Sequence, residues 1–587
     1  MILIVLNDLF IPDHQPTLVA LICKLKSIGF TCKILVNPES IELQNWYTEK
    51  DVVFDPPHIA SVLKKLHSTV KEEISKLKND FPELTDIPIL TTEHGIGSEE
   101  IYTLCDGIGK LSASEIDTYV YQSIGLGYHT YIDRSLTLKS SLASVESYNV
   151  SEFTKCTILC SLLVIKSFQH ILEEDGISQV IQSNVYSANI SLAEYAKSQC
   201  VQSRFIEIDG IDRSYVDFYT NEVSKNHWRR TLMSDTLHNH AQASSFYGYA
   251  LRYIDARICS NSIFSYSPLY SEHMDIPVEL QSIIADEDYG TYFCNSPDED
   301  IAIEVQEKVL TTEASYYPGL PFKDEISCLE SVLKTTLSNK KHLCVRLHPR
   351  LGRDRRNPRI SSGLKRIMDI LDRYKSKNIT VILPEAPVSS YWLALKSSYV
   401  VSFRGTMPSE CSLFGVKPLV GCSMHGMLNS SLHTISKISY SDALHFTRKL
   451  TTLQNARTIS LSVDETYMYL EFIRDFYYHK RLGKINLGGS AKTRFCMPGV
   501  LAEHNHKTFG DNERLLKAAL HEGSTLSPIS LRTRDIREEL TLLAKYIFKL
   551  QATVLPAMGI TEGSQAAKRL KAHFDNILSI FRGSHEK

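Results

Sequence analysis

The feature that most constrains the fold is an alternation of short apolar segments with amphipathic helical segments. It opens with ILIVL at residues 2–6, continues with apolar residues spaced as one helical stripe between Leu18 and Ile28, and reaches a second apolar segment, CKILVN. Apolar residues with helical spacing predict a helix, and a strand–helix–strand order predicts parallel strands. The beginning of the chain therefore predicts a β-α-β unit. It lacks the glycine-rich turn G-x-G-x-x-G, so we expect no dinucleotide site there.

The same alternation continues along the chain and predicts two sheets. A long apolar helix at about 151–174 leads to SQVIQSN, a helical segment LAEYAKSQC and the strand SRFIEIDG, which ends near residue 210. The pattern assigns no elements between about 215 and 285. From GTYFCNSPDED onward, the segments HLCVRLH, ITVIL, YVVSF and KPLVG alternate with helices. The predicted fold class is α/β, with two Rossmann-like domains that face a central cleft at the carboxyl ends of their strands.

The pattern divides the chain into three regions. We predict an N-terminal Rossmann-like domain at residues 1–262, a C-terminal Rossmann-like domain at 263–485, and a tail at 486–587 that combines an irregular linker with a helical hairpin. The apolar stripes of the two tail helices are Ile536, Leu540, Leu543, Ile547 and Leu550, then Leu570, Phe574, Ile577, Leu578 and Phe581. Such stripes suit packing on the body of the protein or a homodimer contact, which we favour. The alternative is contact with the inner membrane surface, because basic residues accompany the apolar ones.

Composition narrows the classes of function. Lys and Arg total 64 against 67 Asp and Glu, so the net charge of -3 gives no reason to expect a nucleic-acid partner. The 13 Cys form no C-x-x-C pair and no Cys/His zinc spacing, which favours a reduced cytoplasmic chain without a metal site. The start MILIVLNDLF lacks a basic region, and no run of about 18 apolar residues occurs, so we expect no signal peptide and no spanning helix.

A His-Pro pair follows one predicted strand of the C-terminal domain. In HLCVRLHPR, Pro349 removes a backbone donor and biases His348 toward an extended conformation. The imidazole is therefore expected to point out of the sheet into the cleft. A single histidine at a strand end is more often an ordinary surface residue, so its neighbours in the fold decide its role.

The segment SFRGTMPSE follows another predicted strand. Gly405 and Thr406 come after the strand, and Ser409 and Glu410 fall near the start of the next helix. Backbone N–H groups at a helix start, with hydroxyl groups beside them, suit a phosphate. A carboxylate such as Glu410 accepts hydrogen bonds from ribose hydroxyls. The alternative is helix capping by Thr406 and Ser409.

Taken together, these segments resemble a known family. The run VRLHPRLGRDRRNP, followed by ITVILPEAPVSSYWLALKSSYVVSFRGTMPSECSLFGVKPLV, resembles the C-terminal half of bacterial capsule and surface-polysaccharide biosynthesis proteins, which are glycosyltransferases of the GT-B fold. YFCNSPDED resembles the Ser-x-acid-acid loop that opens the same half. The resemblance covers about residues 290–480 and is only architectural before them.

The resemblance implies roles for individual residues. His348 would contact the donor phosphate or the leaving nucleotide, Ser296, Thr406 and Ser409 would hold the phosphates, and Glu410 would bind the ribose. Where the family has Ser this chain has Arg404 and Gly405, so Arg404 would substitute as a hydrogen-bond donor to the phosphates. Gly-Val-Lys-Pro is one residue longer than the family's Gly-Lys-Pro. The predicted donor-binding residues are Ser296, His348, Pro349, Arg350, Arg404, Gly405, Thr406, Ser409 and Glu410. The basic loop after His-Pro is either solvated or attracts an anionic donor or acceptor.

Glycosyl transfer also needs a base for the acceptor hydroxyl. FIEIDGIDRSY, at the end of an N-terminal strand, resembles an acid-then-Gly motif of the acceptor domain in bacterial sialyltransferases. Glu207 and Asp209 share one face of that strand. Asp209 is the first catalytic candidate, Glu207 the second and His348 a third, while Glu93 and His94 in TTEHGIG form a weaker pair. The alternative to a catalytic role is that Glu207 and Asp209 are ordinary polar residues at the end of a strand.

The sequence therefore predicts a metal-independent GT-B glycosyltransferase without a cofactor. It would move a sugar from a nucleotide-sugar donor to a glycan or lipid-linked glycan of a bacterial capsule or surface polysaccharide. Hexosyl, sialyl and Kdo transfer are not resolved. We expect a cytoplasmic location, with peripheral membrane contact as the variant. Two alternatives stay open, because fold does not fix function: a nucleotide-sugar epimerase of the same architecture, and a non-catalytic scaffold in polysaccharide assembly.

Overall fold

The computed structural model describes most of the two predicted domains and part of the tail. The described residues are 1–6, 15–37, 53–139, 148–183, 186–208, 215–219, 289–310, 322–353, 359–405, 407–412, 415–421, 443–456, 485–486, 560 and 563–583. They form two separate β-sheets with helices packed against them. The predicted fold class, two Rossmann-like α/β domains, is confirmed.

The first sheet has seven strands in the order β12-β6-β5-β4-β1-β2-β3. Strands β1 to β5 are parallel, β6 is antiparallel to β5, and β12 is antiparallel to β6. The strands are β1 Ile2–Leu6, β2 Cys32–Val36, β3 Ile89–Thr91, β4 Gln179–Gln182, β5 Gln202–Ile208, β6 Tyr215–Tyr219 and β12 Ile485–Asn486. The order reverses between β1 and β4, which is the switch point of a doubly wound sheet.

The second sheet has five parallel strands in the order β11-β10-β7-β8-β9. The strands are β7 Tyr289–Phe293, β8 His342–Arg346, β9 Ile379–Ile382, β10 Tyr399–Ser402 and β11 Lys417–Val420. The chain runs from β7 outward to β9 and then returns to the other side of β7. The switch point of this sheet therefore lies between β7 and β10.

The helices fill the connections. In the first domain they are α1 Gln15–Ser27, α2 Pro56–Asp80, α3 Ser98–Gly109, α4 Ala113–Ile116, α5 Leu126–Asp133, a π-helical turn Arg134–Leu138, α6 Tyr148–Asp175 and α7 Ser187–Ser198. In the second domain and the tail they are α8 Pro297–Leu310, α9 Glu325–Ser338, a 3₁₀ turn Pro349–Leu351, α10 Ser362–Arg373, α11 Ser390–Lys396, α12 Met407–Ser412, α13 Ala443–Asn455 and α14 Gln565–Gly583.

Local sequence explains why these elements form. In β1, Ile2, Ile4 and Leu6 enter one apolar core, whereas Leu3 and Val5 enter the core on the opposite face. Successive side chains of a strand point to opposite faces, so a fully apolar strand is buried on both sides. Side chains also cap helix starts: Ser361 accepts a hydrogen bond from the Gly363 N–H and caps α10.

The structure adds elements that the sequence pattern did not assign. Strand β6 lies inside the stretch at 215–285 for which no element was predicted, and α2, β3 and α8 were also missed. Strand β12 pairs with β6, so at residues 485–486 the chain is back in the first sheet. The predicted domain limits themselves stay a prediction.

The two domains contact each other through helices near the strand ends. Helix α8 of the second domain packs against α5, the π-helical turn and α7 of the first. A small apolar cluster spans this interface and contains Ile132, Ile190, Ala193, Phe205, Ala302 and Val305. The contact uses Ala302 and Val305 in the middle of α8, the helix that follows β7.

The second tail helix, α14, packs on the second domain. Its Ala566, Leu570, Phe574 and Ile577 are buried, and the Arg569 guanidinium donates to the Leu395 carbonyl of α11. This contact agrees with the packing alternative for the second tail helix. The side chains of Leu578 and Phe581, and the first predicted tail helix with Ile536 to Leu550, lie outside the described residues.

One helix among the described residues has the length and apolar composition of a membrane span. It covers Val150–Asp175 within α6, and 72% of its most apolar stretch is buried inside the protein. It belongs to the core of the first domain, where Phe153, Leu159 and Leu163 pack against the sheet and its neighbours.

Candidate functional site

The carboxyl ends of β7, β8 and β10 meet at the switch point of the second sheet. In the parallel register, Phe293 of β7 pairs with Arg346 of β8 on one side and with Ser402 of β10 on the other. The loops that begin at Cys294, Leu347 and Phe403 therefore leave the sheet side by side. Ligands of open α/β sheets bind at this position, so the topology brings three of the predicted segments to one site.

Two polar side chains follow β7 at this site. Ser296 is 1% exposed, and its hydroxyl makes no hydrogen bond to any residue that the structure describes. The neighbouring Asn295 has a buried Nδ2 that likewise finds no partner in the described part of the chain, while its Oδ1 accepts from the Ser402 hydroxyl at 3.5 Å. Buried polar groups are normally hydrogen-bonded, so two such groups in adjacent residues indicate a place where a ligand binds.

His348 lies in the next loop and has a defined ring orientation. It caps the 3₁₀ turn that starts at Pro349, and its Nδ1 accepts a hydrogen bond from the Arg350 N–H at 3.2 Å. A backbone N–H can only donate, so Nδ1 is the unprotonated nitrogen. The neutral imidazole then carries its proton on Nε2 and presents a donor there.

The two arginines of the predicted donor site contact the acidic first turn of α8. The Arg404 guanidinium forms an ion pair with Asp300 and lies 5.6 Å from the Phe403 ring centroid. The Arg350 Nε lies 3.5 Å from the Glu299 carboxylate. Their direct contact with a donor phosphate stays a prediction. The sequence analysis matched this segment to a Ser-x-acid-acid loop but predicted neither the helix nor its ion pairs, for which the three consecutive acidic residues Asp298, Glu299 and Asp300 were the available signal.

Gly405 has a backbone that few other residues adopt. Its φ is +111°, and a Cβ at this position would lie 3.1 Å from the Asn295 Oδ1. Glycine therefore allows the loop after β10 to approach the loop after β7 closely. Ser409 lies in α12, but its side chain, like the whole of Thr406, is outside the described residues.

Glu410 is fully buried beneath the loop. Its carboxylate accepts a hydrogen bond from the Tyr391 hydroxyl at 2.6 Å, and the exposed fraction of the residue is 0%. Tyr391 belongs to the predicted segment PEAPVSSY, so the structure joins two of the motifs that carry the family resemblance. Ribose binding by Glu410 stays a prediction.

Two further charged residues support the site and were missed by the sequence analysis. Glu325, at the start of α9, accepts from the Tyr292 hydroxyl at 2.9 Å, and burial raises the pKa of its carboxyl group to about 8. Arg346, at the end of β8, donates to the carbonyls of Leu383 and of Ala386, the latter at 3.3 Å, and burial lowers the pKa of its guanidinium to about 10. A charged residue within an apolar strand was the available signal for Arg346.

The candidate bases lie in the first domain. Glu207 is in β5 opposite Asp217 of β6, but its side chain and all of Asp209 are outside the described residues. At the end of β4, the other side of the first switch point, Gln182 is fully buried and donates to the Ser203 hydroxyl at 2.9 Å. Its Oε1 accepts no hydrogen bond from the described residues, which adds a polar group that sequence reasoning missed.

The weaker pair, Glu93 and His94, follows β3 at the far end of the first sheet. The Glu93 carboxylate lies 3.1 Å from the Nδ1 of the buried His67 and forms an ion pair with Lys71. The His94 Nε2 lies 3.2 Å from a carboxylate oxygen of Glu174 in α6. The structure does not bring Glu93 and His94 to a switch point, and each side chain has partners within the fold.

Comparisons with known proteins identify no family. No protein-family model matches the chain, and no curated protein matches it. Three solved structures of UDP-GlcNAc 2-epimerases are similar to this chain. The Methanocaldococcus jannaschii enzyme is 8% identical, covers 78% of this chain and 94% of its own, and has a TM-score of 0.24, while the Neisseria meningitidis enzyme is 11% identical, covers 81% of this chain and 94% of its own, and has a TM-score of 0.23. The Rickettsia bellii enzyme is 11% identical, covers 82% of this chain and 97% of its own, and has a TM-score of 0.24. At such TM-scores these likenesses carry no argument about function.

Proposed function

We propose that the protein is an enzyme that acts on nucleotide sugars and binds the nucleotide phosphates at the switch point of its second sheet. The observation that carries the proposal is the pair of buried donors, Ser296 Oγ and Asn295 Nδ2, in a loop beside Gly405 and His348. Phosphate oxygens accept hydrogen bonds from hydroxyl, amide and imidazole donors. Apolar ligands would leave both donors unsatisfied.

Each of these residues has its own proposed role toward the nucleotide phosphates. Ser296 and Asn295 donate to phosphate oxygens, and Gly405 lets the backbone approach them. The protonated Nε2 of His348 donates to the phosphate oxygen that becomes the leaving group when the anomeric C–O bond breaks. A preorganised donor aimed at developing negative charge lowers the barrier of such a step.

Two reactions are compatible with this nucleotide site. In glycosyl transfer, an acceptor hydroxyl attacks the anomeric carbon, its proton passes to a carboxylate such as Asp209 or Glu207, and the nucleotide departs with the bonding electrons. In epimerisation, the C–H bond of one ring carbon breaks and a proton returns to the opposite face of that carbon, and the sugar–phosphate bond is present in the product. Which of these two reactions the protein catalyses depends on the residues at the carboxyl edge of the first sheet. Transfer to a surface glycan, and the cytoplasmic location, stay predictions from the sequence.

Incubation with UDP-GlcNAc, UDP-glucose, CMP-sialic acid and CMP-Kdo, each followed by NMR, tests the proposal. Release of free nucleotide supports transfer, because transferases pass sugar slowly to water, and interconversion of two sugars supports epimerisation. A scaffold would give neither. The same spectra report which nucleotide binds, through broadening of its base and ribose signals.

Substitutions of the proposed site residues test where the nucleotide binds. Removing a hydrogen bond to a charged group costs about 1.5–3 kcal/mol, so His348→Ala and Ser296→Ala should each weaken nucleotide affinity roughly 10- to 100-fold. His342→Ala is the matched control, because His342 begins the same strand, β8, at the opposite edge of the sheet. Equal affinity in wild type, His348→Ala and Ser296→Ala would show that the nucleotide binds elsewhere.

A further inference from the structure

Lys139 crosses from the first domain into the loop that follows His348. It is fully buried, its Nζ donates to the Gly352 carbonyl at 2.7 Å and to the Arg359 carbonyl at 3.0 Å, and its own carbonyl accepts from the Ser362 N–H at 2.9 Å. Its φ is +53°, in the left-handed region that a residue with a Cβ adopts at a cost in free energy. Three hydrogen bonds to the other domain hold the residue in this conformation.

Arg350 makes the reciprocal contact, from the second domain into the first. Its guanidinium donates to the Leu136 carbonyl at 2.7 Å and to the Ser135 carbonyl at 3.3 Å. Both carbonyls belong to the π-helical turn that follows α5, and a cation at the carboxyl end of a helix is stabilised by the helix dipole. Two buried cations, Lys139 of the first domain and Arg350 of the second, therefore cross the domain interface in opposite directions.

The contacts of these two cations hold the backbone that follows His348. The Arg350 N–H that orients the imidazole belongs to the same residue whose guanidinium enters the first domain. The Leu351 N–H donates to the His348 carbonyl at 2.9 Å, and the Ser361 N–H donates to the Leu351 carbonyl at 2.8 Å. The backbone around His348 is thus tied to residues that the first domain holds.

We propose that Lys139 and Arg350 form a cross-domain clamp that positions the His348 loop for the ligand. They are positioning residues, since each acts through the loop backbone, and the role rests on the proposed nucleotide site. The loop takes its binding conformation while the two domains are docked. Opening of the domains withdraws the Lys139 ammonium from the Gly352 and Arg359 carbonyls and frees the imidazole. The clamp therefore links the docking of the domains to the orientation of the donor at Nε2.

The clamp predicts a split between binding and turnover. Ser296 and Gly405 lie on the second domain alone, and His348 is displaced but not removed, so Lys139→Met should raise the KM for the nucleotide sugar less than His348→Ala does, by less than about tenfold. A small misplacement of a reacting group can cost about 100-fold in rate, so kcat should fall roughly 10- to 100-fold. If Arg350 bound the donor phosphate directly, Arg350→Gln would instead raise the dissociation constant of the nucleotide.

Hydrogen exchange of the full-length protein, read by mass spectrometry, tests the clamp without an activity assay. In Lys139→Met and Arg350→Gln, exchange at residues 347–353 should rise at least about tenfold, since these amides are then protected only by local structure. Lys340→Met is the matched control, because Lys340 also has a φ of +53° but is exposed at the end of α9. Lys139→Gly, which suits the left-handed backbone, serves where the Met variant does not fold.

The outcomes separate the clamp from the proposed function. Unchanged exchange at 347–353 in both the Lys139 and the Arg350 variants overturns the clamp. Raised exchange with kcat at the wild-type level overturns the positioning role. Raised exchange in a protein that binds none of UDP, CDP and CMP supports the clamp as an interdomain contact and refutes the nucleotide site.

Discussion

The loop after β3 and the loop after β7 both carry polar residues at the carboxyl end of a parallel strand, yet they differ in how these residues are used. After β3, Glu93 contacts His67 and Lys71, and His94 contacts Glu174. Strand β3 is the outermost strand on its side of the first sheet, where helices α2 and α6 reach the loop. Their side chains supply partners, and the polar groups stabilise the fold.

After β7, the corresponding polar groups face a different environment. Strand β7 is the central strand of the second sheet and adjoins the switch point, where neighbouring connections diverge to opposite faces. Ser296 Oγ and Asn295 Nδ2 are buried there without a hydrogen bond to the described residues. The two loops differ in whether their polar groups find partners within the described residues, and this difference is the reason why we propose a ligand site after β7 and none after β3.

The largest effect on kcat is expected from substitution of the general base that we predict in the first domain. Removing a general base lowers the rate by about 10²- to 10⁴-fold while the donor still binds, so Asp209→Asn should lose that factor in kcat at unchanged nucleotide affinity. Single-turnover measurements and calorimetry check the two quantities. Asp212→Asn, three residues further along, is the matched control. Full activity in Asp209→Asn would move the base to Glu207 or to the β3 loop.

The buried carboxyl beneath the β7 loop predicts a pH dependence of stability. Because burial raises the pKa of Glu325 to about 8, the folded protein keeps a proton that the unfolded chain releases above its ordinary pKa of 4.5. The free energy of unfolding should therefore fall by up to about 1.4 kcal/mol per pH unit between about pH 5 and 8. Glu325→Gln should abolish this slope, as measured by urea unfolding at several pH values.

A second carboxyl on α9 gives the control for this measurement. Hydrogen bonds from Tyr374 and Lys334 lower the pKa of the Glu330 carboxyl, so its contribution is lost only as the pH falls below its ordinary value. Glu330→Gln should keep the wild-type slope between pH 5 and 8. An unchanged slope in Glu325→Gln would show that another group carries the proton.

A pair of glycine substitutions contrasts the two loops directly. In Gly405→Ala the new Cβ meets Asn295 Oδ1 at 3.1 Å with φ at +111°, so we expect a nucleotide affinity about tenfold weaker. In Gly95→Ala, the Cβ would clash with the His170 side chain at a backbone φ of +75°, so stability should fall by about 1–3 kcal/mol with unchanged affinity. Thermal unfolding and nucleotide titration of both variants measure this. The reverse assignment of effects would contradict a ligand site after β7.

The smallest catalytic effect is expected at the β3 loop. Glu93→Gln and His94→Gln remove groups that contact His67, Lys71 and Glu174 within the fold, so kcat should stay within about threefold of wild type. The half-exposed pair of His94 and Glu174 contributes about 0–1 kcal/mol, so His94→Gln should change stability little. Glu93→Gln also removes the carboxylate beside the buried His67, so we expect it to lower stability by about 1–3 kcal/mol. A loss of activity comparable to that of Asp209→Asn would return these residues to the list of bases.

Much of the fold could be predicted because its determinants are local. The apolar runs ILIVL and HLCVRLH, and the helical stripes between such runs, specify parallel strands and covering helices from neighbouring residues alone. The same spacing placed His348 and Gly405 at strand ends, the family resemblance added Ser296, and strand ends of one parallel sheet share one edge. Short or weakly patterned elements such as β3 and β6 were missed, because they are held by pairing with distant strands.

By itself, the sequence determined the two α/β domains and which residues stand at the carboxyl ends of the strands. The tertiary structure decided what those residues contact. Arg350 and Leu136 are 214 residues apart in the chain, and Lys139 and Gly352 are 213 apart, so no local pattern could assign these pairs. Periodicity reflects the burial of one face of an element, whereas an ion pair or a hydrogen bond depends on the packing of whole domains. For the same reason the ion pairs of Arg404 and Arg350 with the acidic turn of α8 became visible only in the tertiary structure, while their contact with a donor phosphate stays a prediction.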